Sequence, residues 1–257
     1  MPELPDIEIF TRSLDDIFAG EKLIRIKVVN GKKLKDNQAD LTKALAGKKL
    51  IRVYRSGKEM RFQFDNGRIL GLHLMLTGDV FVFEGKNEHH STIAELHFQN
   101  KGLALTDRMR NAFLKLDPED KAGVDALSKE LDLKYLKNAL QRKTSIKKLL
   151  TDQNIIRGIG NGYSDDILWM ARISPYSVAR AIPDHKIKDL LDAIKKVLKE
   201  AISKISKKYK GKVNVEVKEF LKIHTKSTNK SPTGKPIIID QHGMMKTYYT
   251  KEQKEYK

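Results

Sequence analysis

Apolar residues recur at helical spacing at Ile7, Phe10, Leu14 and Ile17, with Pro5 where a first turn tolerates it and Gly20 where a helix stops. From Leu23 the period drops to two. Ile24, Ile26 and Val28 alternate with Arg25 and Lys27, which predicts a half-buried strand over 23–28. Further strand-like runs lie at 50–55, 60–64, 69–75, 80–83, 93–98 and 103–106. Asn66-Gly67 sits between two of them, the strongest short hairpin signal a sequence offers. Many short strands with turn punctuation predict an antiparallel β-sandwich or barrel behind the N-terminal helix.

After about residue 120 the pattern turns helical. Residues 124–131 and 143–150 read as short helices and 163–172 as a third. The run 184–209 is a long amphipathic helix, with Ile187, Leu190, Leu191, Ile194, Val197, Leu198, Ile202 and Ile205 on its apolar face. From Lys222 the texture changes again: 227–236 is rich in turn residues, and 237–239 and 244–249 flank Asp240-Gln-His-Gly243 as a small terminal hairpin. No internal repeat or long linker interrupts this order. The pattern predicts an α+β multidomain chain, divided at 1–120, 121–221 and 222–257.

The 257 residues suffice for one large or two ordinary domains with real cores. No window approaches 18 consecutive apolar residues, so no membrane partner is expected. The acidic start lacks the basic-then-apolar layout of a signal peptide, which places the expected site of action in the cytosol or at the nucleoid. With no cysteine, disulfides, thiolate zinc sites, iron–sulfur clusters and thiol catalysis are excluded. The net charge of +17 is uneven: 20 basic and 18 acidic residues in 1–120, 16 and 10 in 121–200, 14 and 5 in 201–257. A polyanion gripped mainly by the C-terminal half accounts for that gradient, and so does a lysine-rich solvated surface.

Two places carry chemistry. If Met1 is removed, Pro2 becomes the N-terminus and presents a secondary amine, able to attack a carbonyl-like carbon and form an iminium. Glu3 beside it can shuttle protons, although a Glu near a helix start also simply favours the helix dipole. The second place is Asn154-Ile-Ile-Arg-Gly-Ile-Gly-Asn-Gly-Tyr163, where alternating glycines let main-chain N–H groups approach an anion and Asn161 can donate to a phosphate. Helix–helix punctuation is the plain alternative. No strand precedes the glycines as a dinucleotide fold requires.

On these residues the chain resembles the formamidopyrimidine-DNA glycosylase and endonuclease VIII family. Met1-Pro-Glu-Leu-Pro-Asp-Ile-Glu8 is similar to that family's opening, and 152–175 to its helix–two-turns–helix motif. Gly57-Lys58 precedes a strand as the family's catalytic lysine does, and His73-Leu-Met-Leu-Thr-Gly78 is similar to its void-filling loop. The resemblance implies a bifunctional glycosylase and abasic-site lyase of base-excision repair, acting without a cofactor as a monomer on damaged double-stranded DNA. It implies Pro2 as Schiff-base nucleophile at C1′, Glu3 as general acid/base and Lys58 as a further proton donor. Leu76 would fill the gap left by a flipped nucleotide, with Met75 beside it. His90, Lys143, Lys147 and Asn161 would hold phosphates, contacts that set register without reading sequence.

Two departures qualify the resemblance. The family's four-cysteine zinc finger has no cysteines here, and His224 and His242 make a poor zinc site by themselves, so a zincless β-hairpin finger is expected. Its phosphate-gripping arginine falls on Met245, leaving Lys246 to serve. The family's Arg-Arg-Phe-Gly run after an aspartate becomes Arg108-Met-Arg-Asn-Ala112 after Asp107, with Arg110 keeping the second arginine. These changes keep open a catalytically inactive relative that binds abasic or bent DNA, and the helix–two-turns–helix resemblance also fits an RNA- or ribosome-associated basic protein. If phosphates are gripped, binding to duplex DNA falls steeply between about 50 and 200 mM salt. A slope near zero in a salt titration would remove that account.

Overall fold

The computed structural model describes residues 1–32, 34, 36–242 and 245–257. They divide into two compact units. The first comprises Met1–Pro2, Asp6–Asp120 and Ile205–Glu216, and the second Glu3–Pro5, Lys121–Lys204 and Val217–Lys257.

The first unit runs α1 (Leu4–Phe18, whose first two residues belong to the second unit), β1 (Leu23–Val28), α2 (Gln38–Leu45), β2 (Leu50–Ser56), β3 (Glu59–Phe64), β4 (Ile69–His73), β5 (Gly78–Phe83), β6 (Thr92–Phe98), β7 (Gly102–Asp107) and β8 (Phe113–Leu116). The strands make two four-stranded antiparallel sheets, ordered β1-β6-β7-β5 and β2-β3-β4-β8. One core joins them, as the alternating pattern predicts: Ile26, Val80, Leu96 and Leu105 from one sheet and Val53, Phe62, Leu70 and Leu114 from the other. Ile7, Phe10, Leu14 and Phe18 of α1 enter the same core, three and four residues apart on one helical face. Helix α2 follows from its cap, the Asn37 side chain accepting the Asp40 N–H while Leu41 and Leu45 are buried.

Turn chemistry sets the loops. Asn66-Gly67 does close the β3–β4 hairpin, but only Gly67 has positive φ, +80°, and Phe64 N–H bonds the Arg68 carbonyl. Strand β4 stops at His73, not at Met75 as predicted. Met75 turns to φ +55° and donates its N–H to His73 Nδ1 at 2.9 Å, which ends the ladder. Gly78 then bonds the Leu74 carbonyl so closely that a β-carbon would lie 2.3 Å from that oxygen.

The second unit contains β9 (Val124–Asp125), α3 (Leu133–Ala139), α4 (Ile146–Thr151), β10 (Ile156–Arg157), α5 (Asn161–Ala171), a 3₁₀ turn at Ala179–Ala181, α6 (Asp184–Lys208, whose last residues belong to the first unit), β11 (Ile238–His242) and β12 (Met245–Tyr249). Its core gathers Leu136, Leu149, Ile159, Ile167, Leu190, Ile194 and Leu198. The helix predicted at 124–131 is not there. Val124 and Asp125 pair in parallel with Ile156 and Arg157, and the Asp125 side chain accepts the Leu127 N–H. That pairing holds the segment extended, and Lys195 Nζ donates to the Ala126 and Ser128 carbonyls. Helix α4 begins three residues later than predicted, where Ser145 accepts the Lys148 N–H. The chain also has the long connection that was not expected: among the described residues no helix or strand lies between Lys208 and Ile238. In the terminal hairpin Ile238 pairs with Tyr249 and His242 with Met245, while Gly243 and Met244 lie outside the described residues. No helix is long and apolar enough to cross a membrane among the described residues.

Asp107, at the end of β7, ties two loops together. It accepts Thr77 Oγ1 at 2.6 Å and the N–H groups of Met109, Asn111 and Ala112. Burial opposes its ionisation, but these four donors outweigh burial and hold the carboxyl below its ordinary range. Asp107→Ala is therefore expected to lower unfolding free energy by about 3 kcal/mol in urea, since buried donors lose their acceptor. In the wild type that contribution is complete above the ordinary carboxylate pKa. It is lost as pH falls through the lowered folded value, which acid titration of stability would read.

Candidate functional site

Glu3 is the best-held polar residue of the chain's start. Its carboxylate is buried and accepts main-chain N–H groups from Gly160 at 2.6 Å, Gly162 at 2.8 Å and Tyr163 at 3.4 Å. These are amides at the first turn of α5, which helical bonding leaves free and whose dipole favours an anion. The alternating glycines therefore do hold an anion, and it is this chain's own carboxylate. A β-carbon on Gly160 would sit 2.4 Å from Glu3 Cδ, and one on Gly158, at φ +103°, 2.5 Å from Leu4 Cδ1. The Gly158 carbonyl accepts the Leu4 N–H, which completes the seat.

One helical turn further along α5 lies a second polar centre. Asp165, fully buried, accepts Lys147 Nζ at 2.6 Å, His224 Nδ1 at 2.7 Å and the Tyr248 N–H at 3.0 Å. Lys147 also donates to Thr247 Oγ1 and the Lys246 carbonyl, so its three ammonium protons all have acceptors. Burial lowers the Lys147 pKa, against the charges of Asp165 and Glu3. Asn161 Nδ2 donates to the same Lys246 carbonyl at 2.9 Å, while its Oδ1 is buried without a partner. Asp166 accepts the N–H groups of Lys222, Ile223 and His224, which seats the long connection, and burial pushes its carboxyl up despite those bonds.

The structure thus brings Glu3, Lys147, Asn161 and Lys246 together in the second unit. The Lys246 side chain itself is exposed, and Lys143 is exposed ahead of the Ser145 cap. In the first unit Pro2 is buried behind Met1, whose ammonium pairs with Glu216 at 3.1 Å. Lys58 is buried in a two-residue turn between β2 and β3, with Gly57 at φ +60° in the position a type II′ turn reserves for glycine. Arg55 bonds both Glu8 of α1 and the Gly57 carbonyl, fixing that turn. Leu76 is 57% exposed at the tip of one Asp107-bound loop, and Arg110, at φ +54°, is exposed on the other. His90 is exposed in the β5–β6 connection.

No three His, Cys, Asp or Glu side chains are grouped to hold a metal ion among the described residues, and the sequence has no cysteine to make the family's four-thiolate site.

Residues 1–113 match the family model for the formamidopyrimidine-DNA glycosylase N-terminal domain, and residues 122–211 the model for the formamidopyrimidine-DNA glycosylase H2TH domain. The formamidopyrimidine-DNA glycosylase of Lactobacillus gasseri is 30% identical over 219 residues, 77% of this chain and 76% of that protein. The chain belongs to the formamidopyrimidine-DNA glycosylase family. The relative from Mycoplasmopsis pulmonis extends the match to 245 residues at 28% identity, 88% of this chain and 87% of that protein. Among solved structures, the Lactococcus lactis Fpg in complex with abasic-site DNA has the same fold, with a TM-score of 0.85 at 23% identity over 96% of this chain and 97% of that one.

Within this glycosylase family member, sequence reasoning missed Asp165 and Arg55. The signal for Asp165 was present: two consecutive acids shortly after the glycine run, directly before the apolar stretch Ile167-Leu-Trp-Met-Ala171 of the same helix. Arg55 carried none, one arginine among many basic residues. Gly160→Ala is expected to cost about 1–3 kcal/mol, because neither the Glu3 carboxylate nor the α5 backbone can yield. Denaturant unfolding measures this, and an unchanged midpoint would show that Glu3 has another place to go.

Proposed function

We propose that the protein is a bifunctional DNA glycosylase and abasic-site lyase that acts on damaged duplex DNA as a monomer at the nucleoid. With Met1 removed, the Pro2 amine attacks C1′ of the damaged nucleotide and the base departs with the amine's proton; the C1′–O4′ bond then opens, O4′ taking a proton from the general acid, and leaves an iminium at C1′. The resulting iminium makes the 2′ proton acidic. Loss of that proton expels the 3′ phosphate, cutting the strand, and water then frees Pro2. Glu3 is the general acid/base for these transfers, and Lys58 supplies a further proton near the sugar.

The Glu3 carboxylate carries the assignment. Residue 3 of the chain is held by three α5 amides and lies one peptide bond from the proposed nucleophile. A general base must be held in orientation to be effective, and charge-assisted bonds to a helix N-terminus do this without a flexible partner. Leu76, exposed on a loop pinned by Asp107, suits a wedge that enters a base stack. His90, Arg110, Lys143 and Lys246 are exposed and free to meet backbone phosphates. Lys147 reaches a phosphate by releasing one of its three acceptors, whereas Asn161 Nδ2 has a second proton beside the one it gives to the Lys246 carbonyl.

The chemistry is tested by intact mass together with borohydride trapping on an abasic duplex. The expected outcome is a chain lacking Met1 and a reduced adduct mapped to Pro2, unaffected by EDTA. An N-terminally acetylated chain should trap nothing. A processed chain that binds tightly and forms no adduct would replace the lyase with the binding-only reading.

A further inference from the structure

The terminal hairpin is too small to stand by itself, because an isolated two-stranded hairpin is at best marginal in water. A finger of this size with a structural metal is closed by ligands from two loops at its open end. This chain cannot supply them, yet the two loops at the open end of β11 and β12 do meet on one group.

That group is Glu252. Its Oε2 accepts Thr233 Oγ1 at 2.8 Å from the turn before β11 and Thr250 Oγ1 at 3.2 Å from the turn after β12. Arg172, the left-handed residue that caps α5, forms an ion pair with the same oxygen at 3.1 Å. Trp169 Nε1 and Ser231 Oγ lie at the outer limit of bonding, 3.4 and 3.5 Å. Around this centre, Ser231 Oγ contacts Thr233 Oγ1, and the Thr250 N–H donates to Gln253 Oε1. Gln253 Nε2 reaches back to the Ile173 carbonyl. Main-chain bonds zip the tail onto the segment after α5: Ser174 N–H to the Lys254 carbonyl, Lys254 N–H to that of Arg172, Val178 N–H to that of Tyr256. Ser231, Thr250 and Gln253 are buried, as groups inside a cross-link are. Burial opposes ionisation of Glu252, and its donors together with the Arg172 charge outweigh it and hold the carboxyl below its ordinary range.

We propose that Glu252 is the positioning residue that closes the hairpin in place of a metal, joining both hairpin turns to the end of α5. It touches no reacting group. Its effect is to hold the strand that carries Lys246, so its consequence for DNA rests on the function proposed above, whereas its consequence for the hairpin does not.

Trp169 is the chain's single tryptophan and borders this centre, with the Arg172 guanidinium 4.8 Å above its ring. Its emission therefore reports on the cross-link in the free, full-length protein. Glu252→Ala is expected to shift that emission to the red and to raise tryptic cleavage within 222–257 about tenfold. Glu252→Gln, which keeps an acceptor oxygen, should recover most of both. EDTA should change neither in the wild type. On an abasic duplex, Glu252→Ala should weaken binding about tenfold with little change in turnover at saturating DNA.

Wild-type emission and cleavage rates in Glu252→Ala would overturn the proposal, as would EDTA bringing the wild type to the mutant's cleavage rate. If Glu252→Ala does not fold, the Thr233→Val/Thr250→Val variant removes the two threonine donors at nearly constant volume, and the same readings decide. A wild type that ignores damaged DNA would sink the glycosylase reading and leave the fluorescence and proteolysis results standing.

Discussion

The carboxylate of Glu3, set against the first amides of α5, is the interaction from which the surrounding geometry follows. A helix start offers N–H groups with no internal partner, and an anion of the right reach satisfies several at once. Close approach of the carboxylate leaves no room for a side chain at residue 160, and the Leu4 side chain leaves none at residue 158, which is why glycine stands at both. With the amides spent on Glu3, the polar groups of α5 that remain face elsewhere. Asn161 turns to the hairpin carbonyl at Lys246, and Asp165 gathers Lys147, His224 and the Tyr248 amide. The start of the chain, the long connection and the terminal hairpin are thus all secured to a single eleven-residue helix.

In a chain with a net charge of +17, the organising groups are its scarcer acids. Asp107 holds two loops, Asp165 and Asp166 hold the connection and the hairpin, and Glu252 holds the hairpin's open end. Each accepts bonds from main-chain amides or hydroxyls, and lysine or arginine partners are a minority of their donors. Lysines suit the opposite task. A long ammonium chain is strongly hydrated and loses much rotamer freedom when fixed, so most of them stay in solvent, where a polyanion can reach them.

Local periodicity made the sandwich and the long helix legible: Ile26 and Val28 alternate into one sheet, and Ile187 through Leu198 recur along one face. It failed where distant groups decide. Val124, Leu127 and Leu131 have helical spacing, yet parallel pairing of Val124 with Ile156 and of Asp125 with Arg157 holds the segment extended. Helix α4 starts at Ile146 and not at Lys143 because Ser145 caps it, and the polar Lys143 and Thr144 ahead of that cap have no apolar face to bury. Among site residues, Glu3 and the glycines were visible separately as an acid and a flexible run. Their union could not be read, since 157 positions separate Glu3 from Gly160. The two hydroxyls and the carboxylate at the hairpin base look like ordinary surface residues until the turns that carry them are folded together.

A hairpin closed by hydroxyls, an amide and a carboxylate differs from a thiolate-closed one in its response to oxidants. Peroxide converts thiolates to sulfenic and higher acids and so releases whatever they hold, whereas threonine, glutamine and glutamate do not react. In this chain the sulfur that peroxide can reach is thioether, and among the described residues Met75, Met109 and Met245 are exposed. Oxidation there adds a polar oxygen at loop tips and leaves the closure of the hairpin intact, so the fold can persist under the conditions that damage nucleic acids.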